Sequence, residues 1–147
     1  MRTSAILGAA VVLAATGITG CTSSLQTPLV GTTWELEAIE SMDDAQGTTK
    51  IPDPGKFSLT FDKANKAHFN FDCNWGKGTY QTKPSGDGST GNLTFGPITT
   101  SNDRCAQPAL SETVISSMSQ IRSYVYKDGQ LSLSKEADGG ILHYRPA

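Results

Sequence analysis

Beyond residue 30 the chain alternates apolar and polar positions with period two, broken by turn residues. That pattern predicts short antiparallel strands. Trp34, Leu36 and Ala38 share one face of a strand from Thr32 to Ile39, with Glu35 and Glu37 on the other. Phe57, Leu59 and Phe61 alternate in a second strand, and Ala67, Phe69, Phe71 and Cys73 in a third, opposed by His68, Asn70 and Asp72. Asn74-Trp75-Gly76-Lys77-Gly78 reads as a turn into a strand at Thr79 to Thr82. Leu93 and Phe95 mark the next strand. The stretches from Ser41 to Lys56 and from Pro84 to Gly91 are polar and rich in turn formers, and read as loops.

One segment changes period. Leu110, Val114, Met118 and Ile121 recur at helical spacing, which predicts a helix from Pro108 to Gln120 with Pro108 in its first turn. Its apolar face is expected on the sheet near Trp34 or Phe69. Strands at Ser123 to Tyr126 and Leu131 to Ser134 flank Asp128-Gly129, a hairpin signal, and Ile141 to Tyr144 is the last strand. The expected fold class is α+β: a strongly curled antiparallel sheet of about eight strands, open and barrel-like, packed on one helix.

The first 30 residues have a different character. Arg2 precedes an apolar stretch from Ala5 to Ala15, and Ile18-Thr19-Gly20-Cys21 follows. A basic start, a short apolar core and small residues before a cysteine define a secretory signal of the lipoprotein type. The apolar run falls short of the roughly 20 residues that span a bilayer. The expected organisation is a signal peptide over residues 1–20, a lipidated Cys21 opening a polar tether over residues 21–29, and one domain over residues 30–147. Each buried methylene of an acyl chain contributes about 0.8 kcal/mol, so the several chains usual on such a cysteine give lasting membrane attachment. Thr22 stands where an inner-membrane retention signal places Asp. In a Gram-negative cell that implies the outer membrane, facing the periplasm.

Composition narrows the partners. The chain carries 12 Lys+Arg against 14 Asp+Glu, a formal charge of −2. Loss of the leader removes only Arg2 and leaves the rest more acidic. With no basic run, nucleic acid is not an expected partner. Cys73 and Cys105 are the two thiols left once Cys21 is lipidated, and in an oxidising compartment they are expected to pair. Two buried free thiols are the alternative.

Catalytic chemistry is hard to find. His68 and His143 are the chain's two histidines, whereas a zinc site wants three or four ligands. Gly86-Asp87-Gly88-Ser89-Thr90-Gly91 does not match a nucleophile elbow. No glycine-rich segment opens a helix after a strand to cradle phosphate. The expectation is a protein without a catalytic site, metal or cofactor. Trp75, beside Asn74, is the most informative single residue. An exposed turn tryptophan can serve as a binding anchor, but such a ring more often folds back as a lid over the core, and that is the leading expectation for Trp75. Trp75 and Asn74 are the candidate binding residues.

Several motifs occur in a fixed order: Gly31-Thr32-Thr33-Trp34, Cys73-Asn74, Gly78-Thr79-Tyr80, Thr99-Thr100 before Cys105, Glu112 on the helix, and Leu131-Ser132-Leu133. Their order and spacing, from about Leu29 to Arg145, resemble the META-domain family of HslJ-like heat-shock lipoproteins. Asp72 replaces the glycine usual before Cys-Asn in that family, and Asn70 stands where another glycine is common. The resemblance implies a small curled sheet on a helix and a role in stress and drug tolerance at the cell envelope. It supplies no catalytic mechanism. Family folds also look similar to lipid-binding secretion pilotins. The expected function is therefore a non-catalytic envelope lipoprotein that binds a protein or envelope component. The alternative is a pilotin- or carrier-like module holding an acyl chain or apolar peptide between helix and sheet.

Overall fold

The computed structural model describes residues 28–147. The expected signal peptide, Cys21 and nearly all of the tether lie outside the described residues. Ten strands form one sheet: β1 (Thr33–Glu40), β2 (Thr48–Lys50), β3 (Phe57–Phe61), β4 (Lys66–Phe71), β5 (Asn74–Ser85), β6 (Thr90–Phe95), β7 (Thr99–Thr100), β8 (Ile121–Lys127), β9 (Gln130–Lys135) and β10 (Ile141–Pro146). Among the described residues one α-helix, α1, spans Pro108–Met118, and a single 3-10 turn spans Pro54–Lys56.

The sheet is closed, where the sequence suggested an open one. Eight strands run round the barrel in the order β1-β3-β4-β5-β6-β8-β9-β10, and β10 returns to pair with β1 from Trp34↔Pro146 to Glu40↔Ile141. Closure pairs both edges of the eight-stranded sheet, so that among the described residues only the short strands β2 and β7 keep a free edge. β2 and β7 are short additions: β2 pairs the second half of β1, and β7 pairs Gly76 and Lys77 of β5.

Inward positions fill the barrel with Trp34, Leu36, Phe57, Leu59, Phe61, Ala67, Phe69, Phe71, Tyr80, Leu93, Tyr124, Leu131, Leu133, Leu142 and Tyr144. Its aromatic rings meet edge-on or stacked: Phe61 lies 4.8 Å from Tyr80, and Phe69 lies 5.3 Å from both Phe71 and Phe95. Such pairs contribute beyond the area they bury.

β1 departs from the expected alternation. Its register against β10 shifts between Leu36 and Ala38. The extra residue, Glu37, forms a bulge that takes Ala38 off the inward face on which it was expected, and Ile39 packs against the core instead.

The two barrel ends differ. At one end β6 leaves β8 after Asn92↔Ser123, and β3 leaves β1 after Glu35↔Ser58, so the mouth splays. Helix α1 lies across that mouth, burying Ser111, Val114, Ser117 and Met118. Ser111 Oγ donates to the Phe71 carbonyl at 3.4 Å. Leu110, expected inward, is only half-buried, and Ile121 belongs to β8. Trp34 lies at the opposite end, away from the helix, where its indole N–H donates to the Leu29 carbonyl at 3.2 Å. Leu29, the last residue of the expected tether, is already buried there. The chain therefore enters the barrel at the end opposite the helix.

Candidate functional site

The segment read as a turn at Asn74–Gly78 is the start of β5. The actual turn is the two residues Asp72-Cys73, flanked by the pair Phe71↔Asn74. Gly76 and Gly78 serve packing here. A Cβ on Gly76 would sit 2.6 Å from a ring atom of Phe71, and one on Gly78 would sit 3.1 Å from the Ile98 side chain. Asp72 carries φ +63, the left-handed conformation that favours glycine. Its nearly buried carboxylate accepts the Gln107 backbone N–H at 2.9 Å, just ahead of α1, and lies 3.9 Å from Lys56 Nζ.

Cys73 and Cys105 form a disulfide, with Cα atoms 5.4 Å apart. The bond pins the connection before α1 to the end of the β4–β5 hairpin. Asn74 completes the junction: its Oδ1 accepts from Ser101 Oγ at 2.9 Å and from the Asp103 N–H at 2.7 Å, and its Nδ2 donates to the Asp103 carbonyl at 3.1 Å. The Asn74 amide is thus committed to holding the loop from Ser101 to Cys105. A hollow of about 410 Å³ opens beside it, between that loop and Ser111, Glu112 and Ile115 of α1.

Trp75 does not fold back over the core: it is 48 % exposed on the outer face of β5. Its backbone is fixed on both sides, by the pairing Asn70↔Trp75 with β4 and by exchange with Ser101. Lys77 Nζ lies 5.6 Å from the indole centroid, within cation–π range. His68 pairs with Lys77 across the strands, and its Nε2 sits 3.2 Å from Asp62 Oδ2. The Lys66 backbone N–H and then His68 hold the Asp62 carboxyl below its ordinary value.

His143 sits in a different constellation. Its Nε2 lies 2.7 Å from Glu40 Oε2, and its Nδ1 lies 3.2 Å from Ser132 Oγ. Three residue types of a hydrolytic triad therefore meet on the outside of β1, β10 and β9, which the sequence did not reveal because Glu40 and His143 are 103 residues apart. Acyl transfer also needs donors aimed at a developing oxyanion. Ser132 stands within β9, paired on one side with His143 of β10 and on the other with Val125 of β8, so its neighbouring backbone groups serve the sheet. The hollow that touches Glu40 is lined by Ile39, Gln46, Leu110 and Lys135 and does not reach His143 or Ser132. Among the described residues no group of three or more His, Cys, Asp or Glu is placed to hold a metal ion.

The sequence pointed to Trp75, Asn74 and both cysteines. It missed Asp72 and Ser101 as the groups that tie hairpin, loop and helix together; the replaced glycine at Asp72 was the available signal.

Fold and site together define a small, helix-capped antiparallel barrel with a disulfide-tied hairpin and polar outer faces. The chain belongs to the META-domain family, whose model matches residues 27–147. Among solved structures it is similar to the solution structure of a protein from Burkholderia xenovorans, with 23% identity, a TM-score of 0.63, and coverage of 81% of this chain and 83% of that one. It is also similar to a DUF4847 family protein from Bacteroides vulgatus, with 15% identity, a TM-score of 0.56, and coverage of 80% and 94%. A further solution structure shares 21% identity at a TM-score of 0.52, covering 80% and 90%. These likenesses concern the fold. No curated protein matches the chain.

Proposed function

We propose that this META-domain protein is a non-catalytic, lipid-anchored envelope protein that binds a protein or envelope component and supports stress tolerance. The observation that carries the reading is Trp75, an indole left half in water on a strand whose backbone is fixed on both sides. A rigid exposed aromatic is suited to anchoring a partner. The lipobox ending at Cys21 and the family membership supply the envelope context. Because the chain enters the barrel opposite α1, an anchor at Cys21 would leave the helix end facing away from the membrane. Wild-type protein expressed in a lipoprotein-competent host is expected to take up a palmitate analogue and sediment with membranes, and Cys21→Ala to do neither. Unlabelled, soluble wild-type protein would overturn the anchor.

The carrier reading has one observation in its favour. A hollow of about 490 Å³ lies between Ile115 of α1 and Phe95, Pro97 and Ile98. It is a surface feature beside a barrel already filled by side chains. Displacement of a fluorescent fatty acid that is lost in Ile115→Asp and kept in Trp75→Ala would favour the carrier.

A further inference from the structure

The outer face of β4 and β5 carries two facing columns: Lys66, His68 and Asn70 on one strand, and Thr79, Lys77 and Trp75 on the other. All six are exposed, while Ala67, Phe69, Phe71 and Gly76 between them point inward. Next to the indole, Lys66, His68, Lys77, Thr79 and Pro97 line a shallow hollow of about 410 Å³. Aromatic platform and basic hollow lie end to end along about 13 Å of strand.

Trp75 is the one large apolar side chain exposed on this face, with only Pro97 in the hollow beside it. Among the described residues the other exposed large apolar side chains are Met42, in the connection between β1 and β2, and Val125, on β8. A membrane surface is held by a cluster of apolar side chains, and a strand-adding peptide needs a free edge. At this face β4 is paired by β3 and β5, and β5 by β4 and β7, and the edge left unpaired, that of β7, is only two residues long, too short to template an added strand. A single flat ring among amide, hydroxyl and ammonium groups fits a ligand that has an apolar ring face and a polar rim, which is the shape of a pyranose. Charge adds the second requirement. In a chain of formal charge −2, this face presents Lys66 and Lys77, and its neighbouring acid, Asp62, is engaged by His68.

We propose that the outer face of β4 and β5 binds an acidic glycan, with a sugar ring stacked on Trp75 and its anionic group held between Lys77 and Lys66. The inference rests on the envelope-binding reading and names the component. Binding needs no bond made or broken: the Lys77 ammonium leaves part of the indole face for the ligand's anion, and the sugar's C–H face replaces water on the ring.

The test uses the full chain purified in detergent micelles, with polygalacturonate as the acidic probe, neutral dextran as control, and phosphatidylglycerol vesicles as the anionic lipid. Trp75 and the buried Trp34 are the two tryptophans, so acrylamide quenching reports on Trp75 while Trp34 emission checks the fold. Polygalacturonate is expected to protect Trp75, with affinity falling as salt rises. Read by affinity electrophoresis in polygalacturonate gels, which does not depend on the Trp75 indole, Trp75→Ala is expected to weaken binding about tenfold or more, Lys77→Ala and Lys66→Ala to weaken it less, and Val125→Ala to leave it unchanged. Equal protection by dextran, unaltered binding by Trp75→Ala, or protection by the vesicles and not by polygalacturonate would each overturn the proposal. Palmitate labelling of Cys21 is independent of all of these outcomes.

Discussion

The Asp72 carboxylate accepts the Gln107 backbone N–H at 2.9 Å, so the β4–β5 hairpin turn and the start of α1 are tied across 35 residues of sequence. The same carboxylate belongs to a residue at φ +63. Position 72 therefore carries backbone strain together with an anchoring role. Asp72→Ala removes the anchor and keeps the strain, and is expected to cost about 1–3 kcal/mol in denaturant unfolding. Asp72→Gly relieves the strain while losing the anchor, and is expected to cost less than Asp72→Ala. An alanine variant as stable as the parent would mean the bond contributes nothing.

Gly76 is required by contact, since its φ is not in the left-handed region. Gly76→Ala places a methyl against the Phe71 ring and Phe69 Cβ. Overpacking of this kind typically costs about 1–3 kcal/mol. Gly129→Ala is strained by φ +79 but meets no atom within 4 Å, so its near-UV circular dichroism should match the parent while that of Gly76→Ala shifts. Identical aromatic spectra for both variants would contradict the assignment.

Met118 and Leu110 separate the two faces of α1. Met118 is fully buried and Leu110 only half-buried. Met118→Ala is expected to cost about 2–5 kcal/mol, and Leu110→Ala clearly less. Equal shifts of the unfolding midpoint would mean that the helix is rotated on the barrel mouth.

Asp62 gives a pH signature. Its carboxyl is held below the ordinary 3.8 by the Lys66 N–H and His68. A depressed folded-state value contributes stability that is present above the unfolded value and is lost as pH falls through the folded one. Asp62→Asn is expected to be less stable than the parent at neutral pH, with the gap closing below about pH 4. A gap that is constant down to pH 2 would show that ionisation is not involved.

The legible parts of the fold were those set by local alternation. Phe57-Leu59-Phe61 and Ala67-Phe69-Phe71 pair as β3 and β4, and Asp128-Gly129 turns β8 into β9. Closure was not legible, because the β1–β10 register joins residues more than a hundred positions apart and no local pattern reports it. Gly76 and Gly78 misled for a related reason. Glycine marks a turn when φ is positive and a close approach when a neighbour crowds it, and only the tertiary contact with Phe71 and Ile98 decides which. The bulge at Glu37 exchanged Ala38 for Ile39 on the inner face by the same kind of non-local pairing. At the site, Trp75 and the cysteines stood out by residue type. Ser101 and the Glu40–His143–Ser132 cluster did not, since their roles come from strands brought together by the barrel.

The proposed molecule is a disulfide-closed META domain carried on a lipidated Cys21, and it can be weighed whole: intact-mass measurement of the protein extracted from its native membranes, after alkylation without reductant, reads anchor and disulfide together. The expected mass is that of a chain beginning at Cys21, increased by its acyl groups, with no alkyl group added at Cys73 or Cys105. A chain that retains residues 1–20 or lacks acyl mass would contradict the anchor. Two added alkyl groups would contradict the disulfide that ties the hairpin to the helix.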